Sequence, residues 1–549
     1  MPDHGRPNDN VIVQAVTQMG GHRVNAKALL RKWGFRFTDA WYSKKLADLA
    51  DDLPPTAREK GVKDADDRPL AGGTIAAPDE RRRSLTGKRF VFTAAQNNTY
   101  LHRGFWSALQ HFCGDTGAEL IVSRFTYNKH GWKQHGGISK KDADGGSGLW
   151  YDPLIDPYVL DEQVKVCEGL VFCGELDILP TAAMPLNTLQ NYTGPNSAVV
   201  PHAKVHMSSL ATMKHDPARF MYTTGACTLR NYIERKAGQV ATFHHVFGAL
   251  YVEIDEDGDW FTRQLIADDN GFFYDLTTLY GPDGVYRDHG AGQPFVTLGD
   301  IHIEHMDPVL LQGALSMLDA LNPSRVFLHD LIDFKSRNHH NIKDPYFIAG
   351  NATANKRVEH DLISAVLFLG ALSKKYPTTH LHVIESNHDQ ALERWLKDPA
   401  GQMDGINARF WHECNAVIHR AIEDGAEYHI FEYVIRDLAD KTNVQIPNVE
   451  FVHEDSSLVL RDIEHAIHGH RGPNGARGNP KAFRQLGRKA NTDHTHTAGI
   501  IDGVWTGGLL AKHDLGYNKG PSSWSCSHII TQPNGKRQMI TQRGKKWRA

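Results

Sequence analysis

The chain has 549 residues, of which 40% are hydrophobic and 23% are charged, and its formal net charge is −3. This length exceeds what one hydrophobic core accommodates, and it predicts roughly two to four domains. The near-neutral charge excludes a general basic field as the means of binding nucleic acid, so such a partner has to be met by local patches.

Three further features of the composition narrow the class of protein. We find no apolar run of about 18 residues and no N-terminal signal pattern, which predicts a cytoplasmic protein with no membrane partner. The 6 cysteines lack C-x-x-C spacing, so neither a zinc ribbon nor a disulfide framework is indicated. Many of the 32 histidines stand beside Asp, Asn or Gly, which favours metal or proton chemistry for some of them.

Residues 1–52 predict a domain of three short helices. The apolar periodicity places these helices at residues 11–19, 26–33 and 40–49, with Asp39 as the cap of the last one. This order is typical of a helix-turn-helix domain, in which the last helix would present Tyr42, Lys44 and Lys45 to DNA. The alternative is a plain three-helix packing unit.

The next two segments predict a linker and an accessory α/β domain. Residues 53–87 are rich in Pro, Gly, Asp, Lys and Arg, which is typical of a linker. In residues 88–291, β-rich runs at 89–93 and 119–123 flank a helix-like run at 102–116, and this order predicts a βαβ unit. Further strands are expected at residues 169–173, 198–200, 239–243, 249–254 and 261–266. No phosphate-loop or dinucleotide motif is found there.

Residues 292–549 predict an α/β catalytic domain with polar motifs after several strands. One strand is expected from Val296 onward, and others are expected at residues 325–328, 380–385, 464–467 and 499–506. Helices are expected at residues 307–321 and 355–376. The pair Asn534-Gly535 predicts a β-hairpin. Sites in open α/β sheets assemble where the carboxyl ends of the strands meet.

Five motifs occur in order in this domain. They are D-x-H at residues 300–302, HDLID at 329–333, SNHD at 386–389, HGH at 468–470 and DHTH at 493–496. After a buried strand, alternation turns Asp300 and His302 toward one point, where an oxygen and a nitrogen ligand suit a divalent metal. A single D-x-H is also typical of an ordinary polar loop, so the prediction depends on the complete set.

The complete set resembles the calcineurin-like metallophosphoesterase superfamily over about residues 295–505. The motifs of that superfamily are D-x-H, GD-x-x-D, GNH-D/E, a lone His before Gly, and GH-x-H. The resemblance implies a β-sandwich flanked by helices, with a two-metal site. This sequence departs from the pattern at His329, Ser386 and Asp493, which stand where the superfamily has Gly.

The resemblance also implies a role for each residue of the motifs. It assigns Asp300, His302 and His496 to the first ion, Asp330 to both ions, and Asn387, His468 and His494 to the second. His388 would stabilise or protonate the leaving oxygen, Asp333 would be a supporting residue, and His470 is a rival of His468. Mixed nitrogen and oxygen ligands suit Mn, Fe, Zn or Co better than Ca or Mg, and we expect two Mn²⁺ ions.

Two loops are expected to contact substrate phosphates. The Gly-rich loop at residues 468–478 carries Arg471 and Arg477, and its backbone amides would add further donors. The loop after Asp330 carries Arg337, His339 and His340.

The chain as a whole resembles nucleases of T5-like phages that degrade host DNA, and more widely the nuclease subunits of double-strand-break-repair complexes. This resemblance implies a Mn-dependent DNase of the host cytoplasm that contacts the DNA backbone, with homo-oligomerisation left open. One alternative is a phosphatase or phosphodiesterase that acts on small molecules or nucleotides. Another is a DNA-binding regulator with an inert phosphoesterase fold, against which the intact ligand set argues.

Overall fold

The computed structural model describes residues 5–19, 23–53, 84–127, 149–287, 289–337, 344–426, 428–516 and 518–549. The chain divides into two compact units, Met1–Ala76 and Ala77–Ala549. No helix within these described ranges is long and apolar enough to cross a bilayer.

The first unit consists of three helices, α1 (Asp9–Gln18), α2 (Arg23–Lys32) and α3 (Asp39–Asp48), as predicted. The cap of α3 differs from the prediction, because the Thr38 hydroxyl accepts the hydrogen bond from the Trp41 amide. Tyr42 is not a surface contact, since its side chain is buried and its hydroxyl donates to the Arg23 carbonyl. Lys45 pairs with Asp9, whereas Lys44 is exposed.

The second unit combines nine described helices with 23 described strands. The helices are α4 (Arg103–Thr116), α5 (Lys236–His244), α6 (Pro308–Leu321), α7 (Pro345–Thr353), α8 (Val358–Lys375), α9 (Gln390–Lys397), α10 (Ala408–Glu423), α11 (Ile430–Lys441) and α12 (Pro480–Phe483).

The strands up to residue 291 are β1 (Arg89–Gln96), β2 (Glu119–Phe125), β3 (Gln163–Cys167), β4 (Leu170–Cys173), β5 (Ser197–Val200), β6 (Met207–Leu210), β7 (Arg219–Thr223), β8 (Gly248–Ile254), β9 (Trp260–Ile266), β10 (Phe273–Asp275), β11 (Thr278–Gly281) and β12 (Gly284–Tyr286). Those after it are β13 (Phe295–Thr297), β14 (Arg325–His329), β15 (His380–Ile384), β16 (Val449–Val452), β17 (Val459–Leu460), β18 (Ile463–Glu464), β19 (Lys489–Thr492), β20 (Gly499–Ile501), β21 (Val504–Thr506), β22 (Ser527–Thr531) and β23 (Arg537–Thr541).

These strands form four sheets, with the orders β2-β1-β8-β9, β10-β11-β12, β16-β15-β14-β13-β22-β23 and β17-β18-β19-β21-β20-β6-β7-β5-β4-β3. The predicted βαβ unit is confirmed, because β1 and β2 are parallel and α4 connects them. The predicted hairpin at Asn534-Gly535 is confirmed as β22–β23.

Three predicted strands differ from the structure, and the one expected at residues 464–467 is only the two-residue strand β18, Ile463–Glu464. Residues 239–243 lie in α5, where Gly238 and Ala241 face the core at helical spacing while Val240 and Phe243 are exposed. Residues 499–506 form the hairpin β20–β21 instead of one strand, because the chain turns at Asp502 with a φ of 48°.

The ten-stranded sheet contains strands from both sides of the predicted domain boundary at residues 291 and 292. Its link is the antiparallel pair of β6 with β20, in which Ser208 lies opposite Gly499 and Met207 opposite Ile500. Residues 88–291 and 292–549 are therefore joined by a shared sheet.

The six-stranded sheet lies between helices and the ten-stranded sheet. On one face, Val296 and Leu328 share an apolar core with residues of α6, α8, α9 and α11. On the other face, Ile529 and Met539 share a core with Ile500 of β20. This helix–sheet–sheet layering confirms the α/β class and brings the strand ends of two sheets together.

A buried ion-pair network connects three strands of the second unit. Arg263 on β9 has 4% of its side chain exposed, and it pairs with Glu253 on β8 and Asp275 on β10. The substitution Arg263→Met leaves two largely buried carboxylates without a countercharge. We expect it to lower the free energy of unfolding by about 3–5 kcal/mol, measured by chemical denaturation.

The matched control is Arg409→Met, which removes an exposed arginine that pairs with Glu359 and Glu413. We expect this control to lose at most about 1 kcal/mol. Equal losses in the two variants would contradict a stabilising role for the buried network.

Candidate metal centre

The predicted ligands all follow the carboxyl ends of strands, and two sheets supply these strands. In the six-stranded sheet, β13, β14 and β15 are parallel, and in the ten-stranded sheet β18 and β19 are parallel. The loops after these five strands carry, in order, Asp300 with His302, Asp330, Asn387, His468, and His494 with His496.

Asp300, His302, Asp330 and His496 form a first group of converging ligand atoms, and all four residues are buried. The Nε2 atoms of His302 and His496 lie 3.0 Å apart, and Asp300 Oδ2 lies 3.1 Å from His496 Nε2. Asp330 Oδ2 is 3.6 Å from His302 Nε2. Imidazole nitrogens and carboxylate oxygens therefore surround one point, as divalent transition metals prefer.

A second group of ligand atoms comprises Asp330, His468 and His494. Asp330 Oδ2 lies 3.3 Å from His468 Nε2, which is also 3.2 Å from Asn387 Oδ1. His470, the rival of His468, instead has its Nε2 3.1 Å from Glu454 Oε1. Asp330 is thus common to both groups.

Four residues of this centre have a left-handed backbone that non-glycine residues rarely adopt. The φ angle is 43° at His302, 44° at Asp330, 74° at His494 and 55° at His496. Each costs on the order of 1–3 kcal/mol and persists only where surrounding contacts hold it. Here the His302 amide donates to the Asp330 carbonyl at 2.8 Å, and the His494 amide donates to Asp300 Oδ2 at 2.9 Å.

Burial and mutual repulsion shape the charges of the carboxylates. Burial, together with the charges of Asp330 and Asp493, holds the pKa of Asp300 well above its usual range. Burial also acts to raise the pKa of Asp330, but the adjacent imidazoles, with His468 foremost, outweigh it and lower that pKa well below its usual range. Carboxylates that repel one another in a closed site are stabilised when a cation binds between them.

Burial keeps three of the imidazoles, those of His302, His494 and His496, in the neutral form that binds metals. It lowers the pKa of His302 well below the ordinary value, that of His496 to about 3 and that of His494 to about 4. A neutral imidazole offers one nitrogen lone pair to a cation.

Several buried acceptor atoms of the centre receive no hydrogen bond from the described part of the chain. They include both carboxylate oxygens of Asp330 and Oδ1 of Asp300. An ionised group left buried without a partner costs several kcal/mol, and a bound cation offsets that cost. The unsatisfied oxygens and the neutral imidazoles therefore fit a divalent metal ion.

Asp333 is placed as the supporting residue that the sequence predicts. Its Oδ1 lies 3.7 Å from His302 Nδ1 and 3.5 Å from His388 Nδ1, and its Oδ2 lies 3.3 Å from His305 Nε2. Asp333, His302 and His388 form a third group of converging atoms. His302 directs Nε2 to the first group and Nδ1 to Asp333 Oδ1, and at 3.7 Å these two atoms are near neighbours but do not form a hydrogen bond with each other.

The structure also identifies residues to which the sequence assigned no definite role. His329 Nδ1 lies 3.4 Å from His468 Nδ1, and His329 Nε2 lies 3.6 Å from Asp493 Oδ2. A Cβ atom at residue 507 would lie 2.0 Å from Asp493 Oδ1, so only Gly507 leaves room for this carboxylate. Asp389 is fully buried beside Asp330. The sequence contains a signal for two of these residues, because His329 and Asp493 stand where the metallophosphoesterase motifs have Gly.

The predicted phosphate contacts are only partly available. The Arg337 side chain is buried and forms an ion pair with Asp404, and residues His339 and His340 lie outside the described ranges. Arg471 pairs with Glu454 at 2.8 Å, whereas Arg477 is exposed.

The backbone amides of the Gly-rich loop are not the exposed donors that were predicted. The amides of Gly472, Gly475, Ala476 and Gly478 donate to carbonyls of the same loop. These four amides are therefore already hydrogen-bonded within the loop. The side chains of Arg471 and Arg477 remain as the candidate contacts of the loop to a phosphate.

We predict that a divalent cation stabilises the protein through Asp330. At a free Mn²⁺ concentration of 100 times the dissociation constant, one site stabilises the folded state by about 2.7 kcal/mol, so the melting temperature rises relative to protein in EDTA. In Asp330→Asn this rise should be lost, because both groups of ligand atoms lose a shared carboxylate. Differential scanning calorimetry measures the effect.

The control for this test is Asp424→Asn, which changes an exposed aspartate at the end of α10. It should keep the full rise in melting temperature. A rise of the same size in Asp330→Asn would contradict cation binding at this centre.

Comparison with known proteins gives one match over most of the chain. Protein A1 of Escherichia phage T5 is 39% identical over 501 residues, which cover 88% of this chain and 86% of that protein. No family model matches the sequence. No solved structure matches it either. The extent and identity of the match show that the chain belongs to the family of the phage T5 Protein A1.

Proposed function

We propose that this chain is a phosphodiesterase that uses two divalent ions, preferably Mn²⁺, to hydrolyse DNA. The observation that carries the proposal is the position of Asp330, whose carboxylate belongs to both groups of ligand atoms. A carboxylate shared in this way is typical of sites that hold two metal ions about 3.5–4 Å apart.

The donor set supports the choice of metal. Asp300, His302 and His496 would hold one ion, and Asn387, His468 and His494 would hold the other, with Asp330 between them. This mixture of nitrogen and oxygen ligands favours Mn, Fe, Zn or Co over Ca and Mg. Two such ions, when bound, supply Lewis-acid stabilisation of a phosphoryl group and activation of water.

His388 is the residue of the chain suited to transfer a proton. Its Nδ1 lies 3.2 Å from the Asp333 carbonyl oxygen and 3.5 Å from the Asp333 carboxylate. A proton on Nδ1 satisfies these acceptors and fixes the orientation of the ring, and in the protonated imidazole Nε2 would donate a proton to the leaving oxygen. The ring centroid of His388 is 4.8 Å from that of His302, so this group adjoins the ligand cluster.

The layering and the order of the motifs support membership of the calcineurin-like metallophosphoesterase superfamily. Each of the five motifs follows the carboxyl end of a strand, and the strands come from two sheets that share apolar cores. A helical layer covers the outer face of the six-stranded sheet. These are the features that the motif resemblance implies for that fold.

DNA is the proposed substrate because of two exposed cationic side chains and the kinship with a phage protein. The exposed Arg477 belongs to the Gly-rich loop of residues 468–478, which begins at His468 of the second group of ligand atoms. The first unit carries the exposed Lys44 on α3, which suits contact with a phosphate backbone. Kinship with a phage protein accords with degradation of host DNA in the cytoplasm of an infected cell.

The variant His388→Ala tests the catalytic role. We expect hydrolysis of linear, circular and single-stranded DNA with Mn²⁺ to fall by about 10²–10⁴-fold, because the leaving oxygen loses its proton donor. Stabilisation by Mn²⁺ should persist, since His388 is not assigned as a ligand of either ion. The control is His412→Ala, which alters an exposed histidine of α10 and should leave the rate unchanged.

A chromogenic phosphodiester assayed in parallel separates the alternatives. Turnover of the small ester without DNA cleavage would replace the proposal by a small-molecule phosphodiesterase. Tight DNA binding without turnover of either substrate would indicate an inert regulator.

A further inference from the structure

A cleft in the second unit lies apart from the metal centre. Its volume is about 910 Å³, and none of the predicted metal ligands lines it. Its walls come from the end of α5, the hairpin β20–β21, residues 484–489 after α12, and the turn before β23. The volume lies in the range of about 300–1,000 Å³ that is typical of ligand sites.

The lining of this cleft is strongly basic. Eight basic residues line it, against three acidic residues, Asp269, Asp462 and Asp502. The basic residues are Lys204, Arg230, Lys481, Arg484, Arg488, Lys489, Lys536 and Arg537. Positive charge is therefore concentrated in this concave surface, although the net charge of the whole chain is −3. Such a surface focuses the electrostatic field on an anionic ligand.

Part of this charge is not neutralised by the protein. Four of the cations pair with carboxylates: Arg484 and Lys204 with Asp502, Arg230 with Asp269, and Arg488 with Glu464. Among the described residues, by contrast, no carboxylate forms an ion pair with Lys481, Lys489 or Lys536. Burial, followed by repulsion from Lys536 and Arg537, lowers the pKa of Lys489, and the charge of Asp462 opposes this shift.

Arg537 adds a buried positive charge to the lining of the cleft. It is 5% exposed, and its guanidinium donates to the carbonyls of Ala490 and Gly503 and to Asn491 Oδ1. The same guanidinium lies 4.9 Å from the ring centroid of Trp505. All these partners are neutral, so Arg537 contributes to the positive field of the cleft without contacting the ligand itself.

One aromatic side chain at the cleft is largely exposed. Phe243, the penultimate residue of α5, is 83% exposed, and the ring of His244 meets it edge-on at 4.9 Å. Successive cations beside an exposed aromatic face are typical of sites for single-stranded nucleic acid. Bases in a duplex are stacked on one another and do not offer their faces in this way.

The cleft and the metal centre lie at opposite ends of one strand. Lys489 is the first residue of β19, and His494 comes two residues after its end. At about 3.3 Å per residue, five residues separate the two by roughly 15 Å. The cleft is thus a separate site within reach of the same DNA molecule.

We propose that this cleft binds a segment of single-stranded DNA, with Lys481, Lys489 and Lys536 on its phosphates and Phe243 against a base. The choice of DNA as ligand rests on the proposed function, but binding at the cleft requires no metal ion. The cleft would hold one strand of the substrate while the metal centre acts on a phosphodiester elsewhere.

Fluorescence anisotropy of the full chain with a labelled 20-mer of thymidylate in EDTA tests the proposal. In the triple variant Lys481→Gln, Lys489→Gln, Lys536→Gln, we expect the affinity to fall at least tenfold. The slope of log affinity against log salt should decrease in magnitude by about 2, because three phosphate contacts contribute about 0.7 each. Phe243→Ala, which removes only an exposed side chain, should lower the affinity about fivefold or more.

Matched controls remove the same charge or the same kind of side chain elsewhere. Lys374→Gln, Lys375→Gln and Lys397→Gln together remove three exposed lysines outside the cleft, and Tyr100→Ala removes an aromatic residue that is 59% exposed. If the cleft variants bind the oligonucleotide as tightly as these controls, the proposal is overturned. It is equally overturned if an equimolar nucleoside triphosphate displaces the oligonucleotide, because the site would then belong to a free nucleotide.

The outcome is distinguishable from failure of the proposed function. Binding is measured without metal, whereas hydrolysis of a small chromogenic phosphodiester with Mn²⁺ reports on the metal centre alone. The cleft variants should retain the small-ester activity. If the unsubstituted chain hydrolyses no ester but the cleft variants still lose oligonucleotide binding, the proposal for the cleft stands and the nuclease proposal is refuted.

Discussion

The buried carboxylate of Asp330 is the constraint on which the arrangement of the second unit depends. It is 1% exposed, it receives no hydrogen bond from the described part of the chain, and its φ angle is 44°. A charge in that position is tolerated only if cations and imidazoles compensate it. The fold meets this requirement by bringing five loops to one point, so that the Nε2 atoms of His302 and His468 lie 3.6 Å and 3.3 Å from Asp330 Oδ2.

The packing of two sheets makes this convergence possible. Parallel strands in each sheet end at the same edge, and shared apolar cores hold the two edges together. Outside the ligand groups, Asp333 Oδ1 lies 3.7 Å from His302 Nδ1, and His329 Nδ1 lies 3.4 Å from His468 Nδ1. In the proposed two-metal site, side chains that the fold has already gathered would bind an ion at a lower cost.

The sequence was most informative where a polar motif directly follows a strand. Alternation predicted that Asp300 and His302 face one point, and the resemblance of the five motifs to the metallophosphoesterase superfamily predicted that Asp330 and His496 join them. Local pattern was insufficient where tertiary contacts decide the conformation. Residues 239–243 alternate like a strand, yet they form α5 because Gly238 and Ala241 pack on the core. The basic cleft was not predicted at all, since its lysines come from segments that are distant in sequence and only the fold assembles them.

We propose that the Asp330 carboxylate bridges two metal ions. Anomalous X-ray diffraction from crystals soaked in Mn²⁺, collected at the manganese absorption edge, tests this bridging. We expect two anomalous peaks about 3.5–4 Å apart, both within ligand distance of the Asp330 carboxylate. A single peak, or peaks that lie away from Asp330, would contradict it.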